Sequence, residues 1–209
     1  MTSRPKTPDE ELIGAQHGVV ASEITDAMRV ERMADELTMG FRELSDVHRG
    51  VSVFGSARTP PGSDEYRLGV EVGRRLGEAG AHSIGLNIDL PFEQGGASEW
   101  VDQSLDFHYF FCRKVMFVRY ANAFVVLPGG LGTLDELFEA LCLIQTQKIR
   151  LFPVVLVGVA YWEGLVAWLR ERVAAEGKID DLDLERLFVT DDLDAVVERV
   201  QRAAVEQDA

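Results

Sequence analysis

"LPGGLGTLDEL", residues 127–137, lies directly behind the apolar run "NAFVV" and ahead of "FEALCLI". An unbroken apolar run closed by proline and glycine reads as a buried strand, and the residues after it read as a helix. The glycines therefore occupy a strand-to-helix junction. The same alternation extends outward on both sides. Before it come "VSVFGSA", a helix through "DEYRLGVEVGRRLGEAG", the strands "HSIGLNI" and "LDFHYF", and a helix through "CRKVMFVRYA". After it come the helix "LDELFEALCLIQTQK", the strand "PVVLVG", the helix "WEGLVAWLRERVAAEG", and a closing strand and helix, "RLFVT" and "DLDAVVERVQRAA". Parallel strands need crossover connections, so this order predicts an α/β fold with a doubly wound parallel sheet and flanking helices.

Two stretches precede that pattern. Residues 1–20 are polar at their start and carry Pro5 and Pro8, which predicts a flexible N-terminal arm. Residues 22–47 place Ile24, Met28, Met33, Leu37, Phe41 and Leu44 at spacings near three and four. That periodicity predicts an extra amphipathic helix outside the main sheet. Residues 21–209 are expected to form one domain, a length that fits a single core at 46% hydrophobic residues.

Charge and composition narrow the partners. A formal net charge of −14 argues against broad contact with nucleic acid or an anionic membrane. An anionic ligand must then be met by a local site. The longest apolar run, "FPVVLVGVAYW", falls short of the roughly 20 residues of a membrane helix. The first residues offer no apolar core for a signal peptide, so a cytoplasmic protein is expected. Cys112 and Cys142 lack metal-knuckle or redox spacing and read as buried thiols. No metal or cofactor is implied.

In open α/β sheets ligands gather where strand carboxyl ends meet helix N-termini. Three regions qualify: "FGSARTPPGSD" after the first strand, "FHYFFCRK", and "PGGLGT". Glycines let backbone approach a ligand closely, and helix N-terminal amides attract an anion, so "PGGLGT" suits a phosphate. A purely structural reading stands beside this one. Gly129, Gly130 and Gly132 would form a tight turn, with Thr133 and Glu136 of "TLDE" making a capping box. The glycine order does not match the dinucleotide fingerprint, which is expected after the first strand, nor is a P-loop present. Arg113 and Lys114 stand in an otherwise apolar helix, either reaching an anion or running their stems along the core to solvent. His108 reads as a packed or capping residue.

Together "RKVMFVRYANAFVVLPGGLGTLDELFEAL", "VFGSAR" and "SIGLNIDLPFEQ" resemble the LONELY GUY (LOG) family, the cytokinin-activating phosphoribohydrolases often labelled lysine decarboxylases, and in particular its longer bacterial branch. The resemblance runs from about Val51 to Gly158 and implies a Rossmann-like domain. It also implies hydrolysis of the N-glycosidic bond of a purine riboside 5′-monophosphate, releasing free base and ribose 5-phosphate. In that setting Arg113 and Glu136 would be catalytic. Lys114, Gly55, Ser56, Gly129, Gly130, Leu131, Gly132, Thr133, Leu134 and Asp135 would line the substrate, with aspartate standing where glutamate is more usual. A homodimer or larger homo-oligomer would be the assembly, and no cofactor is required. The alternative on the same fold is a non-catalytic carrier of a nucleotide or of molybdenum cofactor. Decarboxylation of lysine rests on the label alone, since pyridoxal phosphate chemistry needs a Schiff-base lysine and Lys114 has another use.

One departure stands out. The family carries a strand and a second loop, G-G-G-x-x-G-x-M, between positions matching "GEAG" and "SIGLN", whereas here Gly80 runs straight into Ala81. Either the protein lacks that unit, or residues are omitted at the junction; the match on both flanks favours omission.

Overall fold

The computed structural model describes residues 7–14, 24–88, 100–149 and 152–207. The described residues cluster into two compact units, one from Met1–His48 and His82–Arg119, the other from Arg49–Ala81 and Tyr120–Ala209.

The second unit holds a four-stranded sheet: β1 (Gly50–Phe54), β4 (Ala121–Val126), β5 (Val154–Val157) and β6 (Leu187–Thr190), in the order β1-β4-β5-β6. Every pairing is parallel. β5 is buried along its whole length and β4 over its last four residues, as near-continuous apolar sequence predicts for strands covered on both faces. One face of the sheet packs Ala123, Val125, Val155 and Val157 against Val72 of α3 (Asp64–Glu78) and against Val196, Val200 and Ala203 of α8 (Leu193–Gln207). On alternate positions Phe124 stacks with Phe54 and Phe152, ring centroids 5.0 and 4.9 Å apart. The parallel α/β architecture with flanking helices is the one the alternation predicts.

Local chemistry explains where the helices stop and start. Ser63 caps α3 by accepting the amide of Tyr66 at 3.2 Å. At the other end Gly80 adopts φ +92°, its amide donating to Gly77 O and that of Ala81 to Leu76 O, the paired bonds of a Schellman close. Gly80 and Ala81 are thus consecutive within one cap. Two further helices carry the connections: α5 (Leu131–Gln145) and α6 (Val159–Trp168), the latter continuing as a π-helical turn over Leu169–Ala174. A short α7 (Asp181–Glu185), which the sequence pattern does not announce, precedes β6.

The first unit contains α1 (Pro8–Gly14), α2 (Asp26–Glu43), the strands β2 (Ile84–Ile88) and β3 (Gln103–Phe107), and α4 (Phe110–Arg119). β2 and β3 pair in parallel as a separate two-stranded sheet, so among the described residues no strand links them to the four-stranded sheet. The helix α1 lies inside the stretch expected to be a loose arm; residues 1–6 and 15–20 of that arm, and "DLPFEQ" of the resemblance, lie outside the described residues. Among the apolar residues expected to line α2, Leu44 beyond its end is buried, whereas Met28 and Phe41 are exposed. The helix buries Arg29, Glu36 and Gly40 instead.

Candidate active site

Strand register builds the site. Phe54 and Val126 are paired at the carboxyl ends of β1 and β4, so the loops after them leave the sheet side by side. The amide of Leu127 donates to Phe54 O at 2.8 Å, which extends the pairing one residue into the glycine loop. Thr133 then joins the two loops, its hydroxyl donating to Gly55 O at 2.9 Å.

That bond corrects the capping-box expectation. The N-cap of α5 is Gly130, and no side chain caps it among the described residues. Thr133 is already inside the helix, three residues past the cap, and points into the protein at 5% exposure. Glu136 sits one turn further along the same stripe, which comprises Thr133, Glu136, Leu137, Ala140 and Ile144. Its 6% exposure removes it from the solvated position a capping glutamate takes. Burial of a carboxylate is costly unless it is paired or hydrogen-bonded, so a glutamate at such a position is uncommon.

The loop itself is shaped by close packing. A Cβ on Gly129 would lie 2.1 Å from Thr133 Oγ1, so only glycine fits there. From α6 the hydroxyl of Tyr161 donates to Gly129 O at 2.5 Å, a contact the sequence pattern did not single out. Gly130, Leu131 and Gly132 are exposed, Leu131 at 86%. The first turn of α5 thus offers its amides to solvent at a positively polarised helix end, an arrangement able to receive a phosphate. Leu134 is half-buried and Asp135 exposed beside it. Ser56 is half-buried and accepts the amide of Arg58 at 3.1 Å, which fixes the turn after Gly55.

These residues all belong to the second unit: Gly55, Ser56, Gly129 through Asp135, and Glu136. Arg113 and Lys114 belong to the first, on α4. The guanidinium of Arg113 lies over the rings of Phe110 and Phe117, 5.3 and 5.6 Å from their centroids, and donates to Leu86 O at 3.5 Å. Lys114 is half-buried. His108 is neither packed nor a cap: its side chain is exposed, and its Nδ1 lies 2.9 Å from Glu36 Oε1. Of the two thiols Cys112 is buried, as expected, whereas Cys142 is exposed. Among the described residues no group of three or more His, Cys, Asp or Glu side chains is placed to hold a metal ion. No helix among them is long and apolar enough to cross a membrane.

A family profile described as "possible lysine decarboxylase" matches residues 71–200. Among curated relatives, a cytokinin riboside 5′-monophosphate phosphoribohydrolase of Mycobacterium marinum is 42% identical over 82 residues, which cover 39% of this chain and 43% of that protein. The protein of the same name from Mycobacterium tuberculosis is 38% identical over 84 residues, with the same two shares. A probable cytokinin riboside 5′-monophosphate phosphoribohydrolase of Oryza sativa is 29% identical over 137 residues, covering 64% of this chain and 57% of its own. The chain therefore spans less than half the length of the two mycobacterial relatives.

Proposed function

Because the chain belongs to the LOG family, whose profile carries the description "possible lysine decarboxylase", we propose that it hydrolyses the N-glycosidic bond of a purine riboside 5′-monophosphate. The products are the free base and ribose 5-phosphate, and the purine includes N6-modified, cytokinin-type bases. The observation that carries this reading is the start of α5: an uncapped, exposed turn of backbone amides followed, one turn inward, by a buried glutamate.

The chemistry divides between those two features. The amides after Gly130 take the 5′-phosphate, whose charge suits the helix end and needs no basic surface elsewhere. Thr133 and Tyr161 hold the loop in shape through Gly55 O and Gly129 O. With the phosphate fixed, the ribose lies toward Glu136. Its carboxylate orients a hydroxyl or water and stabilises the oxocarbenium-like charge that grows as the bond to the base breaks. Gly55, Ser56, Leu131, Leu134 and Asp135 complete the surroundings of the substrate. Arg113, with Lys114 beside it, assists negative charge on the phosphate or the departing base. The reaction requires no cofactor.

The direct test is incubation of the pure protein with AMP and with an N6-substituted AMP, measuring ribose 5-phosphate. Release from either, abolished by Glu136→Gln, is the expected result. Tight retention of nucleotide without turnover would favour a carrier. Silence toward both nucleotides, with Glu136→Gln indistinguishable, would remove the proposal. We also propose a cytoplasmic homodimer or larger homo-oligomer, supported by Phe138 on the exposed side of α5. Light scattering that gives a monomer mass would overturn the assembly.

A further inference from the structure

The helix that presents Arg113 lacks the means to close its own N-terminus. α4 begins "FF" and has no acidic residue in its first turn. The preceding residues, His108 and Tyr109, carry no carboxylate or hydroxyl of the short capping kind. Their amides nonetheless have partners, supplied by other helices. Glu36 of α2 accepts the His108 amide on Oε1 at 3.1 Å and the Tyr109 amide on Oε2 at 3.2 Å, while Oε1 also meets His108 Nδ1. Asp9 of α1 accepts the Phe110 amide at 3.3 Å. Three successive amides at a helix start are therefore held by two carboxylates from outside the helix.

Glu36 is 9% exposed and occupies the face of α2 where an apolar side chain would ordinarily lie. A carboxylate there is stabilised by charge-assisted bonds to backbone amides and by the positive end of α4. Its geometry leads straight to Arg113. Tyr109, whose amide Glu36 holds, gives its carbonyl to the amide of Arg113 at 3.3 Å. Gly40, one turn further along α2, brings that helix against α4: a Cβ there would lie 2.7 Å from Met116.

We propose that Glu36 is a positioning residue for the reaction, holding the first turn of α4 and thereby the place from which Arg113 acts. Asp9 supports the same turn one residue on. This rests on the phosphoribohydrolase reading for its activity readout, and on backbone hydrogen bonding alone for its structural readout.

A double-mutant cycle separates positioning from general support. Glu36→Gln keeps the volume, loses the charge, and turns one acceptor into a donor facing an amide. It is expected to lower kcat about tenfold with KM changed less than about twofold, since misplacement costs transition-state rather than ground-state contacts. In an Arg113→Ala background the same substitution is expected to change kcat less than about twofold, because the group it positions is gone. Wild-type kcat in Glu36→Gln, or losses that multiply in the double variant, would overturn the proposal. Should Glu36→Gln not fold, Asp9→Asn runs through the same cycle with an expected loss of about threefold that disappears without Arg113; full retention there overturns it equally. If the wild-type protein turns over no nucleotide, the functional reading fails and amide exchange decides the rest. Faster exchange at His108 and Tyr109 in the variant, with Leu105 of β3 unchanged, supports the cap, and unchanged protection sinks it.

Discussion

At the scale of single residues, burial distinguishes those that hold the fold from those the fold tolerates for another purpose. Glu136 is the clearest case. Glu136→Gln keeps the volume of the side chain and one carbonyl acceptor but removes the second carboxylate oxygen, so it should stay folded while losing at least about a hundredfold in kcat. A thermal melt and a turnover assay on the same preparation check both halves. Gly129 makes the opposite argument. Its Cβ has no room beside Thr133, so Gly129→Ala should push Thr133 away from Gly55 O and cost about 1–3 kcal/mol, read from urea unfolding. The two cysteines divide similarly. Burial, reinforced by Glu36, pushes the Cys112 thiol up to about 12, so it stays protonated and inert at pH 8, whereas Cys142 is exposed. Native protein should release one equivalent of chromophore from Ellman's reagent and denatured protein two; two in the native state would contradict the burial. The sequence singled out Glu136, Thr133 and the glycines because they stand together at a strand-to-helix junction, as either a capping box or a phosphate loop. It did not disclose Glu36 or Tyr161, whose partners lie 72 and 32 residues away.

At the scale of elements, the alternation of apolar runs located the strands and crossover helices because each strand buried on both faces must be continuous in sequence. Helix starts were less legible. α5 begins at Leu131, two residues before Thr133, since a glycine N-cap leaves no side-chain signature and a real capping box reads identically in one dimension. The amphipathic stripe of α2 was also displaced, because an ionised side chain held by a neighbouring helix end can take a position that pattern reading reserves for leucine. The end of α3 is a firmer case. Gly80 sits at φ +92° with both Schellman bonds made, so Gly80→Ala should cost about 1 kcal/mol through the left-handed backbone alone, there being open space for the methyl. Chemical denaturation with an unchanged m value is the check. A neutral result would mean that the helix does not end in this conformation.

At the scale of the whole molecule, the two compact units are not two consecutive domains. The chain passes between them at residues 48 and 49, 81 and 82, and 119 and 120, so each unit is assembled from separated segments. Domain boundaries usually fall in a single linker that few contacts cross. Interleaving of this kind ties the folding of one unit to that of the other, because neither can complete its own segment list without the chain traversing its partner. The small two-stranded sheet adds to the dependence, since a lone pair of strands is marginal in water. We therefore retain one Rossmann-like domain over residues 21–209 as a proposal. Scanning calorimetry should show one peak, with calorimetric and van't Hoff enthalpies in agreement and a total on the order of 150 kcal/mol at about 0.7 kcal/mol per residue. Two resolved peaks, or a van't Hoff enthalpy well above or below the calorimetric one, would mean that the segments around Arg113 and the glycine loop unfold on separate terms. Addition of AMP should raise the midpoint of that single peak, because a ligand bound only by the folded state stabilises everything that unfolds with its site.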